Sequence, residues 1–310
     1  MLQELAAYYG QLECYEKCPE ILKKTIGVEI GHSQIQRVTD TYGKALEKTI
    51  ATTRTLPPLQ AEEVLYAEVD GSMIFTRDED WKEVKVGRLF KSSDCIDPNG
   101  KSSWIRHSQY LACLGKSRDF TDKMDDLIES FGDIKQRLVF ISDGATWIRN
   151  WVEDAFPEAI SVLDYFHAVE HLHQFTNSYF KDEGAEKKWI EKQKTLLLNS
   201  RVKQVIKNIE KLAPKNEAAE KLMAYYQDNI HRMDYKKYQQ IGCGIIGSGA
   251  IESAHRTVVQ KRMKQSGQRW SSPGAQNMLN LRVTYMNERW DNVIQLVKTA
   301  AKHTCLKKTG

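Results

Sequence analysis

The chain has 310 residues, of which 41% are hydrophobic and 28% charged, with a net charge of +4; this is the balance of a water-facing globular chain with room for a sizeable core, one large domain or two to three small ones. No apolar run approaches the roughly 18 residues of a membrane span, and the first residues lack the basic start and apolar stretch of a secretory leader. Six scattered cysteines (14, 18, 95, 113, 243, 305) read as reduced thiols, which points to a cytoplasmic protein and away from a disulfide framework.

Residues 3–25 carry Leu5, Tyr8, Tyr9, Leu12, Tyr15, Ile21 and Leu22 at a period near 3.6, and the spacing predicts one helix. Cys14 and Cys18 share a face of it and read as buried thiols, since no second pair completes a zinc site. Ser33, with Gln36 three positions on, predicts a capping box and a second helix, faced by Ile35, Val38, Tyr42, Ala45 and Leu46. The two make a helix-turn-helix-like segment over residues 1–58, whose second helix could enter a major groove. Its 7 basic and 7 acidic residues do not favour DNA over simple packing on a core.

Residues 64–75, 81–90 and 107–114 are β-rich runs, parted by polar turns at 78–80 and 97–100. Phe120, Met124, Leu127, Ile128 and Phe131 follow at helical spacing. Next come a strand over 137–142, a helix over 147–156 with Trp147 and Trp151 on its core face, and a strand over 159–163. The order β-β-β-α-β-α-β is that of an RNase H-like core, a mixed five-stranded sheet with flanking helices, with the first and fourth strands adjacent. Residues 59–170 and 245–303 would form this core. Residues 171–244 read as an all-helical insertion interrupted by Pro214, and a glycine-rich loop over 241–249 leads to helices at 250–266 and 273–302.

Three carboxylates stand out against this frame. Asp70 and Asp143 each end a hydrophobic strand and precede a glycine, and Glu252 lies in Gly247-Ser248-Gly249-Ala250-Ile251-Glu252 at a helix start. A lone Asp-Gly pair reads as a turn, but two at strand ends in this order suit cation binding. Phosphodiester chemistry uses two Mg²⁺ about 3.5–4 Å apart, and hard carboxylate oxygens hold such ions while leaving them several waters. Asp70 would bridge both ions, Asp143 would hold one and Glu252 the other.

Charge is unevenly spread. Residues 60–170 hold 13 basic and 22 acidic residues, whereas residues 255–310 hold 11 and 2, as suits a metal site beside a polyanion groove; a solvated basic face is the competing reading. Lys261, Arg262, Lys264 and Arg269, with Trp270, form the best polyanion candidate, offering phosphate contacts and a surface on which a base could stack. Its competitor places Trp270 in the core. His167 and His171 stand at i, i+4, but the zinc-protease pattern needs Glu where Ala168 stands.

Asp70-Gly71-Ser72, Ser142-Asp143-Gly144-Ala145, Asp164-Tyr165-Phe166-His167 and Gly247 to Glu252 together resemble the DDE transposases of bacterial insertion sequences, in the Kra-type, Mutator-related group. The resemblance runs from about residue 10 to 300. It implies an RNase H-like core, catalysis by Asp70, Asp143 and Glu252 with two Mg²⁺ (Mn²⁺ substituting), cutting of double-stranded DNA at terminal inverted repeats, and joining to target DNA by the freed 3′-hydroxyl. It also implies a homodimer on DNA, a nucleoid-associated setting, and DNA contacts from His255, Arg256 and the basic stretch. Asp164 and His167 match that group's Cys/Asp-x-x-His signature, in which Asp164 could hold the tautomer of His167; a helix-capping Asp beside a packed His is the plainer reading. The group commonly carries more N-terminal sequence, so the resemblance also raises a truncated copy. A non-catalytic DNA-binding derivative and an RNase H-like nuclease that only hydrolyses are the alternatives.

Overall fold

The computed structural model describes residues 1–50, 53–97 and 104–306; the expected turn at 97–100 falls mostly outside them. A mixed five-stranded sheet has the order β5-β2-β1-β6-β7, built from β1 (Leu65–Thr76), β2 (Asp80–Lys91), β5 (Gln109–Leu114), β6 (Leu138–Ser142) and β7 (Ile160–Leu163). Two short strands, β3 (Cys95–Ile96) and β4 (Trp104–Ile105), pair beside it. β1 is antiparallel to β2 and parallel to β6, so the first and fourth of the five strands predicted do lie side by side.

Both faces of the sheet are covered, which is why its strands read as near-continuous apolar runs. On one face Leu65, Ala67 and Val69 pack with Phe120, Met124 and Leu127 of α4 (Ser117–Glu129) and Ile148 and Val152 of α5 (Thr146–Ala155). The other face holds two clusters. One joins Tyr66, Val139 and Ile141 to the helices α6 (Tyr165–Tyr179), α7 (Glu183–Leu198), α8 (Val202–Leu212), α9 (Glu217–Asp228) and α10 (Tyr235–Tyr238). The second joins Val84 and Val86 to α11 (Gly249–Ala254), a π-helical turn at His255–Gln260, α12 (Lys261–Met263) and α13 (Ser272–Met286). The predicted boundary at 171 therefore falls inside α6, and the helical insertion shares its core with the sheet.

Three further helices, α1 (Leu2–Leu12), α2 (Cys18–Ile26) and α3 (His32–Ile50), open the chain, and α14 (Trp290–Leu306) is the last. The single helix expected over 3–25 is thus two. Pro19 lies in the first turn of α2, where its missing N–H costs nothing; further into a helix the same ring would clash with the preceding turn. The released Tyr15 donates or accepts at Thr39 Oγ1, 2.9 Å away. No Ser33 capping box forms: α3 begins one residue earlier, with Gln34 and Ile35 donating their N–H groups to the Gly31 carbonyl. The helix expected over 273–302 breaks between α13 and α14, where Glu288 takes a φ of 56°.

The N-terminal helices are integral to the body. Ala7, Tyr42 and Leu46 pack with Leu281, Val293 and Val297. Gly43 is pressed so closely on α13 that an added Cβ would lie 2.3 Å from the Asn277 carbonyl oxygen. Helix α13 also closes the open edge of the sheet: Gln276 Oε1 accepts from Leu114 N, while Asn287, just past α13, accepts from Tyr110 N and donates to Tyr110 O. Side-chain amides stand where a sixth strand would bond, a way of protecting an edge.

Candidate functional site

The β1–β6 ladder pairs Leu65 with Leu138 and Glu68 with Ile141. That offset of 73 residues also separates Asp70 from Asp143, so the register carried two residues further sets the two acids opposite each other. In parallel strands such residues face the same side, here the side covered by α11. Asp70 Oδ1 accepts from Gly71 N at 2.7 Å, and Asp143 Oδ1 from Ala145 N at 2.9 Å. Each following glycine supplies room rather than a turn. A Cβ on Gly71 would meet Glu83 Oε1, and one on Gly144 would lie 2.5 Å from the Tyr225 ring; neither glycine has positive φ.

Glu252 sits in the first turn of α11. With Asp70, Asp143, Asp164, His167 and Glu170 it lines a cavity of about 170 Å³, so the sequence-predicted acids share one cleft. Burial, with the charge of Asp143 adding and the Gly71 N–H opposing, pushes Asp70 up to about 6. Carboxylate oxygens are the hard donors that a divalent cation such as Mg²⁺ takes. Among the described residues no three His, Cys, Asp or Glu side chains converge at metal-holding distances.

Asp164 does not hold His167. Its Oδ1 caps α6 by accepting from Phe166 N at 2.8 Å, and its Oδ2 accepts from Ser248 Oγ at 2.5 Å, tying α6 to the loop before α11. His167 instead faces Glu170, with Nδ1 3.5 Å from Oε2, and meets the His171 ring edge-on.

The basic stretch divides by burial. Arg256, Lys261, Lys264 and Arg269 are exposed, and Lys264 feels the charge of Asp70. Arg262 is fully buried, donating Nε to the Gly10 carbonyl at 2.9 Å with its guanidinium against Tyr15 and Trp270. Trp270 is buried too and donates to the Met263 carbonyl. Both are core residues whose faces are already occupied, so the expected base-stacking surface is not there. His255 is likewise turned inward, with Nε2 3.4 Å from Asp70 Oδ2. Burial lowers it to about 4, leaving a neutral imidazole beside the acid.

Three residues that sequence reasoning missed organise this cleft. Glu68, on the face of Asp70, is wholly buried and its Oε2 accepts from Ile251 N at 2.7 Å. Arg88 on β2 donates to the Ala250 carbonyl at 2.8 Å. Helix α11 has no side-chain cap of its own, so this pair from the sheet grips the turn that carries Glu252. Burial, opposed by the Ile251 N–H and Arg88, raises Glu68 to about 8. Arg232, from the helical insertion, is also buried and donates to Ser142 Oγ at 2.7 Å, fixing the strand end before Asp143. The alternation of β1 was the available signal for Glu68, since residues 66, 68 and 70 share a face; Arg232 had none.

The fold and site define a mixed α/β protein with a carboxylate-lined cleft where β6 ends and the parallel pairing of β1 with it stops, under a helix start; Asp70 is not at a strand end, since β1 runs on to Thr76 paired with β2. The chain belongs to the uncharacterised protein family UPF0236, whose model matches residues 6–298. It is 25% identical over 281 residues to the UPF0236 protein in vanSb 3'region of Streptococcus gallolyticus, covering 86% of this chain and 59% of that protein. The chain thus spans 59% of the length of the curated relative it matches. No helix among the described residues is long and apolar enough to cross a membrane.

Proposed function

We propose that the chain is the catalytic part of a DDE transposase, a polynucleotidyl transferase with an RNase H-like core that cuts double-stranded DNA at element ends and joins the freed 3′-hydroxyl to target DNA. The observation that carries this reading is the shared 73-residue offset of strand register and acids, together with Glu252 lining the same cavity. Mg²⁺ or Mn²⁺ held by Asp70, Asp143 and Glu252 would activate the attacking oxygen and neutralise the leaving one. The chain's own groups do the rest. Neutral His255 and the apolar wall of α11 keep water from one side of Asp70. Glu68 and Arg88 set the height of Glu252, and Arg232 sets that of Asp143. Lys264, which feels the charge of Asp70, and the exposed Arg256, Lys261 and Arg269 offer charge to DNA phosphates, with a second copy pairing the other DNA end.

The test is a cleavage and strand-transfer assay on double-stranded terminal repeats with Mg²⁺ or Mn²⁺. Asp70→Ala, Asp143→Ala and Glu252→Ala should each abolish cleavage while DNA binding persists. Cleavage retained by all three variants would overturn the assignment, and cleavage without joining would favour a hydrolytic nuclease.

A further inference from the structure

Cys95 and Cys243 are 148 residues apart in sequence, yet their Sγ atoms share a hydrogen bond of 2.8 Å. Cys95 opens β3 just after β2. Cys243 lies in the glycine-rich loop that leads to α11, between Gly242 and Gly244, both in the left-handed region at φ 54° and 73°. The loop is anchored on either side of this thiol: Tyr66 donates to the Ile241 carbonyl at 2.7 Å, and Tyr165 N to the Ile246 carbonyl at 3.0 Å. Both cysteines are only partly buried. Cys95 Sγ also donates to the Lys91 carbonyl at 3.8 Å; Cys18 and Cys113 differ in being buried, each with its thiol on a backbone carbonyl.

One proton between two sulfurs divides their acidities. Hydrogen bonding between the two sulfurs holds the Cys243 thiol below its ordinary range although burial opposes this, and the same contact, with burial adding, raises Cys95. The thiolate is the form that attacks a disulfide, and a second thiol in contact is what resolves the product.

We propose that Cys95 and Cys243 are a thiol–disulfide exchange site for low-molecular-weight disulfides, and that its oxidised form staples the glycine-rich loop to the β3 segment. Cys243 thiolate attacks one sulfur of glutathione disulfide, forming a mixed disulfide and releasing one glutathione thiolate. Cys95 then loses its proton and attacks the Cys243 sulfur, forming the internal disulfide and releasing the second glutathione. The two protein thiols are oxidised by two electrons, and glutathione disulfide is reduced to two thiols. This site stands independently of any DNA chemistry, because its evidence and its product are confined to the two sulfurs.

The experiment takes the full chain, reduced and then equilibrated without air in glutathione disulfide. The wild type should lose the mass of two hydrogens, peptide mapping should join Cys95 to Cys243, and dithiothreitol should restore both thiols to alkylation. Cys95→Ser should instead gain one glutathionyl group on Cys243 and keep it. Amide exchange over residues 241–249 should slow in the oxidised wild type and not in Cys95→Ser. Both thiols still alkylating in a chain that keeps its circular dichroism, or a link to any other cysteine, would overturn the site; exchange unchanged on oxidation would overturn the stapling.

Discussion

Replacing Glu68 by glutamine separates the proton on this carboxyl from the hydrogen bond it makes. Glu68 is wholly buried between β1 and α11, and burial raises it from the ordinary 4.5 to about 8. Between those values the folded chain keeps a proton that the unfolded chain has released. The contribution of this proton to stability is complete below the window. It is lost as pH rises through it, with a limiting slope of about 1.4 kcal/mol per pH unit and a total on the order of several kcal/mol. The glutamine side chain would keep an acceptor for Ile251 N and has no proton to lose. Urea unfolding of both proteins at four pH values from about 5 to about 8.5 measures the difference directly. Glu68→Gln should gain on the wild type steadily as pH rises, because groups that the substitution leaves alone cancel. Parallel pH dependences would refute the reasoning, since Glu68 would then titrate alike in both states.

Other outcomes follow from the same geometry. Asn287→Leu leaves the N–H and carbonyl of Tyr110 unpaired at the sheet edge and should cost about 2–4 kcal/mol, read as a lower urea midpoint at unchanged slope. Arg262→Met strips the Gly10 carbonyl of its side-chain donor and should cost roughly 1–3 kcal/mol in urea unfolding, whereas Lys261→Ala, on the surface, should stay within about 0.5 kcal/mol by the same measurement. Gly43→Ala must push α3 and α13 apart, because the new Cβ would lie 2.3 Å from a backbone oxygen; it should cost about 3 kcal/mol or more, visible as loss of soluble folded chain. Mn²⁺ at about a hundred times its dissociation constant should stabilise the wild type by roughly 2.7 kcal/mol and leave the thermal midpoint of Asp70→Asn or Asp143→Asn unmoved.

The strand skeleton was legible because a sheet covered on both faces writes long apolar runs, and all five runs match their strands to within two residues at either end. The pairing of Asp70 with Asp143 was legible for the same reason, as strand order alone made them neighbours. What failed was reading where side chains point from composition. Arg262 and Trp270 look like a nucleic-acid surface, yet a guanidinium between two aromatic rings is as well suited to a core, and the bridge of Trp270 to Thr76, a contact distant in sequence, draws that ring inward. Pro19 is a local signal for the start of α2, outweighed in the sequence by apolar spacing that runs across it. The break at Glu288 has no glycine or proline to announce it; it follows from Asn287 bonding across to β5, a tertiary contact no local pattern encodes. The Ser33 capping box failed because α3 starts at His32, with Gln34 and Ile35 donating to the Gly31 carbonyl, which leaves Ser33 inside the helix.

The burial of Ala7, Tyr42 and Leu46 against α13 and α14 sets a timetable for biosynthesis. About 235 residues separate Leu46 from Leu281, so at about 5–20 residues per second the opening helices wait roughly ten to fifty seconds for their partners to emerge from the ribosome. Throughout that wait an apolar stripe faces water with nothing of its own to cover it. Nascent chains stalled before α13 should therefore be clients for holding chaperones, and released chains should not.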